Sequence, residues 1–123
     1  AVPEIMEQRT KTLDTLLELM ESPLRERFLY ADRITKHKSG ERAETKEALR
    51  TMLEIWLSFW RDVLMICSEA QVPLGNPDYT EAARNYAQKL GLQGAKRKVQ
   101  IHQQALERLY FSNLRLMVEI VLM

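Results

Sequence analysis

The sequence has few of the residues that interrupt or cross-link a chain. Its 123 residues include four glycines, four prolines and one cysteine, Cys67. A single cysteine excludes an internal disulfide and a cysteine-rich structural zinc site, and it favours a reducing, cytoplasmic compartment. Alternating runs of valine, isoleucine and threonine are also missing. The scarcity of these strand and turn signals predicts an all-α protein.

The sequence also lacks a large excess of charge of either sign, and it lacks long apolar runs. The 18 basic and 17 acidic residues give a net charge of +1, which creates no global field for nucleic acid or for an anionic membrane. The apolar stretch at the end of the sequence is interrupted by Arg115 and Glu119 and is far shorter than the roughly 20 residues that span a bilayer. No secretory signal is visible at the start. We therefore expect no membrane partner.

Apolar residues recur at helical spacing over most of the chain. They predict six helices, at about residues 3–21, 23–37, 42–69, 78–90, 95–110 and 114–123. The helix over 42–69 is apolar on more than one side, so we expect it to be central. The connections are short and no repeat is visible. The pattern predicts one domain over residues 1–123, a helical bundle of about five to six helices.

Local signals set the expected helix ends. Ser22 is expected to cap the second helix, with Pro23 as its first residue, and Asn113 is expected to open the last helix. Gly40 should interrupt helical structure within the polar connection over residues 36–43. Gly91 should end the fourth helix as a left-handed cap, with residues 92–94 as a connector.

Groups that could perform catalysis or hold a metal are few. His37 lies in a lysine-rich connection and should be solvated. His102 lies beside an apolar stripe, with no second ligand at metal spacing, and is expected to be a core-edge histidine bonded to a carbonyl. Cys67 is expected to be buried and inert. No phosphate-binding loop is present. We predict no catalytic, cofactor-binding or metal-binding residues, no cofactor and no small-molecule substrate for this chain.

Two further features allow more than one interpretation. Trp56 and Trp60 form an i, i+4 pair, for which core packing is favoured over a platform that stacks a ligand. Basic residues cluster twice, and solvated helix ends are favoured there over contacts with a phosphate backbone. The clusters are Arg33, Lys36, His37, Lys38 and Arg42, and Lys89, Lys96, Arg97 and Lys98.

Two segments resemble a known family. The first runs from Trp56 to Leu64 and contains Trp60-Arg61-Asp62, and Asn76 and Asp78 lie in the loop after it; the second runs from Asn113 to Leu122. Together they resemble the C-terminal collar domain of bacterial DNA polymerase III clamp-loader subunits. The delta-prime type is the nearer match and the gamma/tau type the second. Leu114 stands where many family members have proline.

The resemblance implies a fold and a role. It implies a collar-like bundle that joins equivalent bundles of other loader subunits into a ring, so that the sliding clamp can be loaded on primer–template DNA. The ATP site and the zinc-binding cysteines of such subunits would precede this bundle in a longer chain, and the first residue, Ala1, fits such a C-terminal piece. The structural or subunit-interface candidates are Trp56, Trp60, Arg61, Asp62, Asn113, Arg115 and Glu119. A free-standing bundle that regulates a protein or a nucleic acid is the alternative.

Overall fold

A computed structural model describes residues 2–123 of the chain. This part of the chain contains five α-helices, α1 (Val2–Met20), α2 (Leu24–Thr35), α3 (Arg42–Cys67), α4 (Thr80–Glu107) and α5 (Leu114–Leu122), and a short 3₁₀ helix (Pro77–Tyr79) before α4. No strand occurs among residues 2–123. The predicted all-α helical bundle is confirmed.

The helix α3 is central, as its wide apolar arc predicts. It packs along α4 and against α1, while α2 packs against α5. The core takes side chains from all five helices, among them Leu13, Ala31, Leu53, Val99 and Val118. Each large apolar side chain removed from water in this way contributes about 1.5–3 kcal/mol, so the aromatic and aliphatic face of α3 dominates the stability of the bundle.

The helix α4 breaks at Gly91, where two helices were predicted to separate, but the connector predicted after Gly91 is not present. Residues 92–94 are helical, and Gly91 alone interrupts the helix as a kink, with φ 68° and ψ −179°. This combination is open essentially to glycine only, and it is not the left-handed helical cap that we expected. The predicted connector over 92–94 is wrong because one glycine supplies the whole break.

The helix α2 begins and ends differently from the prediction. Pro23 occupies the N-cap position, and no side chain caps the helix. The hydroxyl of Ser22 instead donates to the Glu18 carbonyl of α1 at 2.8 Å, so the predicted Ser22 cap is wrong. The Glu18 carbonyl, in the last turn of α1, accepts from the Glu21 amide at 3.2 Å and from the Ser22 hydroxyl as well. At the other end α2 stops at Thr35 rather than at His37.

Arg27 of α2 fixes the ends of two other helices. Its guanidinium donates to the carbonyls of Leu19 and Met20 in α1 at 2.9 and 3.0 Å. It also donates to the carbonyl of Leu122 in α5 at 2.9 Å. The last carbonyls of a helix lack intrahelical partners and carry partial negative charge, so a cation placed between two such ends stabilises both. Arg27 thereby positions α5 against the end of α1.

Candidate functional site

Both tryptophans of α3 belong to the core. Trp56 and Trp60 are fully buried, and the Trp56 indole N–H donates to the Thr12 carbonyl of α1 at 3.1 Å. The Trp60 ring packs edge-on against Phe59 and Tyr86. Buried rings offer no face to a ligand or to a partner subunit. Core packing is therefore confirmed, and the alternative of a stacking platform is wrong.

His102 of α4 lies between the two indoles. Its ring centroid is 6.4 Å from that of Trp56 and 6.3 Å from that of Trp60, and its Nδ1 is 2.7 Å from the Lys98 carbonyl. The carbonyl bond is as predicted, but the side chain is fully buried rather than at the core edge. Burial lowers the pKa of His102 to about 4, so the imidazole is neutral at pH 7.

His102 and Trp60 also hold two buried nitrogens without a hydrogen-bond partner, His102 Nε2 and Trp60 Nε1. Because His102 Nδ1 faces a carbonyl, it carries the proton of the neutral ring and Nε2 is left as an acceptor. An unpaired acceptor and an unpaired indole donor on adjacent rings are chemically complementary. The two rings belong to the packed core.

Asp62 anchors the loop that follows α3. Its buried carboxylate accepts hydrogen bonds from the backbone amides of Gly75 at 2.7 Å and Asn76 at 2.8 Å. It also accepts from the Asn76 side-chain amide at 3.2 Å. Hydrogen bonds to a carboxylate are among the strong ones in proteins, so a single side chain fixes the course of this loop. The Trp60-Arg61-Asp62 motif therefore has a structural role at Asp62.

Asn76 extends this anchor to α1. The Arg9 guanidinium donates to Asn76 Oδ1 at 2.7 and 3.0 Å, and it lies 3.2 Å from the Asp78 carboxylate. Asn76 in turn donates to the Ser58 hydroxyl at 3.1 Å. The sequence analysis did not identify Arg9, because 67 residues separate it from Asn76 and no local pattern links the two.

Two other residues of α3 lie outside this network. Arg61 is exposed, one residue before the buried Asp62. Cys67 is half-buried rather than buried, and its thiol donates to the Ala87 carbonyl across a sulfur–oxygen distance of 3.6 Å. The prediction that Cys67 is buried is wrong because it lies in the last turn of α3, where the core opens to the loop.

The closing helix α5 begins as predicted. The Asn113 side chain accepts a hydrogen bond from the Leu116 amide at 2.9 Å, which confirms Asn113 as the N-cap. Arg115 lies 3.7 Å from Glu119 along the helix and 3.8 Å from Asp32 of α2. Arg115 and Asp32 are exposed or partly so, and such pairs contribute at most a few tenths of a kcal/mol. The charges of α5 thus contribute little to the stability of the fold.

One face of α5 is apolar and exposed. Leu116 and Ile120, one turn apart, expose 53% and 46% of their surface, while Met117 and Val121 face the core. A groove of about 240 Å³ separates α5 from the second half of α4. It is lined by Ile101, Gln104, Ala105, Arg108, Ser112, Asn113, Leu116, Met117, Ile120 and Val121, and we call it the α4–α5 groove. An apolar groove with a polar rim is a typical surface for binding a helix.

The first basic cluster adjoins the turn before α5. Arg42 donates to the Ser112 carbonyl at 3.4 Å, and the side chains of Lys46 and Arg50 lie over the ring of Tyr110. Phe111 in this turn is 89% exposed. The structure thus brings exposed aromatic rings to the cluster, a combination that the sequence analysis missed because 68 residues separate Arg42 from Tyr110.

The second basic cluster is partly used within the fold. The Lys98 ammonium lies 5.2 Å from the centroid of the Trp60 ring, and burial lowers its pKa. Lys89 lies 3.6 Å from the Glu21 carboxylate. Lys96 and Arg97 are exposed. Lys98 and Lys89 therefore have contacts within the fold, while Lys96 and Arg97 face solvent.

Residues 2–123 include no group of three or more histidine, cysteine, aspartate or glutamate side chains placed to hold a metal ion. None of the helices described above is long and apolar enough to cross a membrane. No protein-family model, curated protein or solved structure matches the chain in sequence or fold comparisons.

Proposed function

We propose that this bundle is a subunit-assembly domain of the collar type, which holds a bacterial DNA polymerase III clamp loader together through contacts with the bundles of other subunits. The observation that carries the proposal is the exposed apolar row of α5, Leu116 and Ile120, beside the α4–α5 groove. Contiguous exposed apolar surface with a polar rim is typical of a protein interface.

The two motifs that resemble the collar family support the same role, because each of them fixes part of the frame of the bundle. Asp62 fixes the loop after α3, and Asn113 fixes the start of α5. Both residues stabilise the frame on which the exposed row of α5 is presented. A rigid frame lowers the entropy cost of association, which suits a domain whose task is to hold subunits in place.

In this proposal the chain contributes assembly and no catalysis of its own. ATP hydrolysis would belong to the module that precedes the collar in such subunits, and primer–template DNA would be bound by the whole complex in the cytoplasm. The delta-prime type is favoured over the gamma/tau type because the two motifs together resemble it more closely. No cofactor is required by the bundle itself.

Association with loader subunits tests the proposal. The chain, joined to its natural N-terminal region, is mixed with purified bacterial clamp-loader subunits and analysed by size-exclusion chromatography with light scattering. We expect a stable complex that Leu116→Glu disrupts, because the new carboxylate would be desolvated in an apolar interface. Leu29→Glu is the matched control, since Leu29 is equally exposed on α2. A chain that joins no loader subunit would contradict the proposal.

A second candidate function has one specific observation in its favour. Phe111 is exposed beside Arg42 and Arg115, and exposed aromatic rings among cations are the elements of single-strand binding. On this view the bundle is a free-standing nucleic-acid-binding regulator. Fluorescence anisotropy with labelled single-stranded DNA separates the two: affinity that falls steeply with salt and is lost in Phe111→Ala favours the regulator.

A further inference from the structure

The start of α1 projects from the bundle. Every residue from 3 to 8 is exposed, whereas Leu13 and Leu16 later in the same helix are fully buried. Ile5 and Met6 expose 66% and 57% of their surface there. A helix end exposed on all sides gains nothing from tertiary packing, and two large apolar side chains on it leave apolar area to be covered. We call residues 3–8 the α1 tip.

The α1 tip and the α4–α5 groove are complementary in charge as well as in polarity. Residues 1–8 include two acidic side chains, Glu4 and Glu7, and no basic one. The groove is lined by one cation, Arg108, and by no acidic residue. Arg97 extends the same face of α4 by one turn beyond Ile101. An acidic, apolar helix end is thus complementary to a cationic, apolar groove.

The α1 tip cannot reach the groove of its own chain. Arg27 places the last turn of α1 next to the end of α5, through the carbonyls of Met20 and Leu122. The residues of the tip lie 12 to 17 positions before Met20 in the same helix, so the tip is about 18–26 Å from that end. A second molecule is needed to bring the two surfaces together.

We propose that the α4–α5 groove of one molecule binds the α1 tip of a second copy of this chain. Ile5 and Met6 cover Leu116 and Ile120, and Glu4 or Glu7 faces Arg108. Glu7 lies 3.7 Å from Lys11 in an exposed pair, which costs little to exchange for Arg108. Because the two surfaces differ, the contact is heterologous. The copy whose groove is filled keeps a free tip, and the copy whose tip is bound keeps a free groove, so each dimer can be extended at both ends.

Sedimentation velocity over a series of protein concentrations tests this contact. For the unmodified chain we expect an average mass that grows beyond the dimer with concentration and falls with added salt, because part of the attraction is electrostatic. Ile120→Glu in the groove and Met6→Glu in the tip should each raise the dissociation constant at least about tenfold. Val72→Glu is the matched control, since Val72 is an equally exposed apolar residue in the loop after α3.

Mixing the two defective variants separates this arrangement from other modes of self-association. The Ile120→Glu chain keeps its tip and the Met6→Glu chain keeps its groove, so together they should form a one-to-one heterodimer and nothing longer. Arg108→Glu combined with Glu7→Arg in the partner chain provides a second, charge-based pair of variants. Circular dichroism checks that each variant is folded. We expect all of them to fold, because the substituted positions are exposed.

Three results would overturn the proposal. They are a chain that stays monomeric at every concentration, a mixture that forms no heterodimer although the unmodified chain associates, and a loss of association in Val72→Glu equal to that in Ile120→Glu. These measurements use this chain alone. Their outcome is therefore independent of whether the chain associates with loader subunits, so a failure of this proposal and a failure of the proposed function can be told apart.

Discussion

The carboxylate of Asp62 accepts two hydrogen bonds from Asn76, one from its backbone amide at 2.8 Å and one from its side-chain amide at 3.2 Å. Both residues are buried, and the bond from Gly75 adds to the same carboxylate. This pairing turns the end of α3 into a support for the loop, and Arg9 ties the loop to α1 through Asn76. The bundle is thus held by a polar network as well as by its apolar core.

Replacing Asp62 by alanine should lower the free energy of unfolding by about 2–4 kcal/mol, because two backbone amides and one side-chain amide lose their acceptor in a buried setting. Urea unfolding followed by circular dichroism measures the change. Arg61→Ala is the control, and as an exposed substitution it should change stability by less than about 0.5 kcal/mol. Equal effects of the two substitutions would show that the loop does not depend on Asp62.

The stability of the protein should fall as the pH is lowered from 6.5 to about 4. The folded state holds the pKa of His102 at about 4, below its ordinary value of 6.5, because the ring is buried. The unfolded chain therefore binds a proton in this window that the folded chain does not, and protonation favours unfolding by about 3 kcal/mol in total.

Denaturant midpoints measured at a series of pH values check this prediction for His102. His102→Leu should remove most of the pH dependence between pH 4 and 6.5, since the leucine has no group to titrate. His37→Gln is the control substitution at the other histidine, which is exposed. A pH profile unchanged in His102→Leu would assign the effect to other groups.

Gly91→Ala and Gly94→Ala should affect stability for different reasons. At Gly91 an added Cβ meets nothing within 4 Å, so the expected loss of about 1–3 kcal/mol comes from the backbone conformation alone. At Gly94, inside the helix, the Cβ would lie 2.9 Å from that of Leu90, and this clash opposes the gain in helix propensity of about 1 kcal/mol.

Thermal unfolding of the two glycine variants gives the comparison. The melting temperature of Gly91→Ala should be the lower of the two. If Gly91→Ala is as stable as the unmodified protein, the expected backbone strain is absent and the kink at residue 91 has relaxed into a continuous helix. Such a helix would change the contacts between α3 and the second half of α4.

Arg27→Ala should destabilise the protein by about 2–3 kcal/mol, because the last carbonyls of α1 and α5 lose their cationic donor together. Arg27→Lys should recover only part of this loss, since an ammonium cannot reproduce the planar fork of donors. Arg25→Ala, two residues away and exposed, is the control. Hydrogen exchange at the end of α5 reports on the same contact and should accelerate in Arg27→Ala.

Much of the fold is predictable from local pattern. The apolar arc of α3 placed Trp56 and Trp60 in the core, and the asparagine at 113 marked the start of α5, because both signals act within a few residues. The connector expected over residues 92–94 was wrong, since no pattern tells whether a glycine ends a helix or kinks it. Ser22 failed as a cap because an acceptor four residues before it competed for its hydroxyl.

The candidate site was predictable only in part. Asp62, Asn113, Arg115 and Glu119 could be selected from their motifs, but their partners could not. Arg9, Arg27 and the α4–α5 groove depend on segments far apart in the chain, which only tertiary packing brings together. The same holds for Phe111 and Tyr110 beside the first basic cluster.

The sequence by itself determined that this protein is a helical bundle with α3 at its centre, because helix propensity and apolar spacing act locally and agree along the chain. The tertiary structure alone decided which polar groups pair, that Gly91 kinks one helix, and which apolar side chains of α1 and α5 remain uncovered. The physical reason is that burial and hydrogen bonding between distant segments depend on how whole helices pack, which no short stretch of sequence encodes.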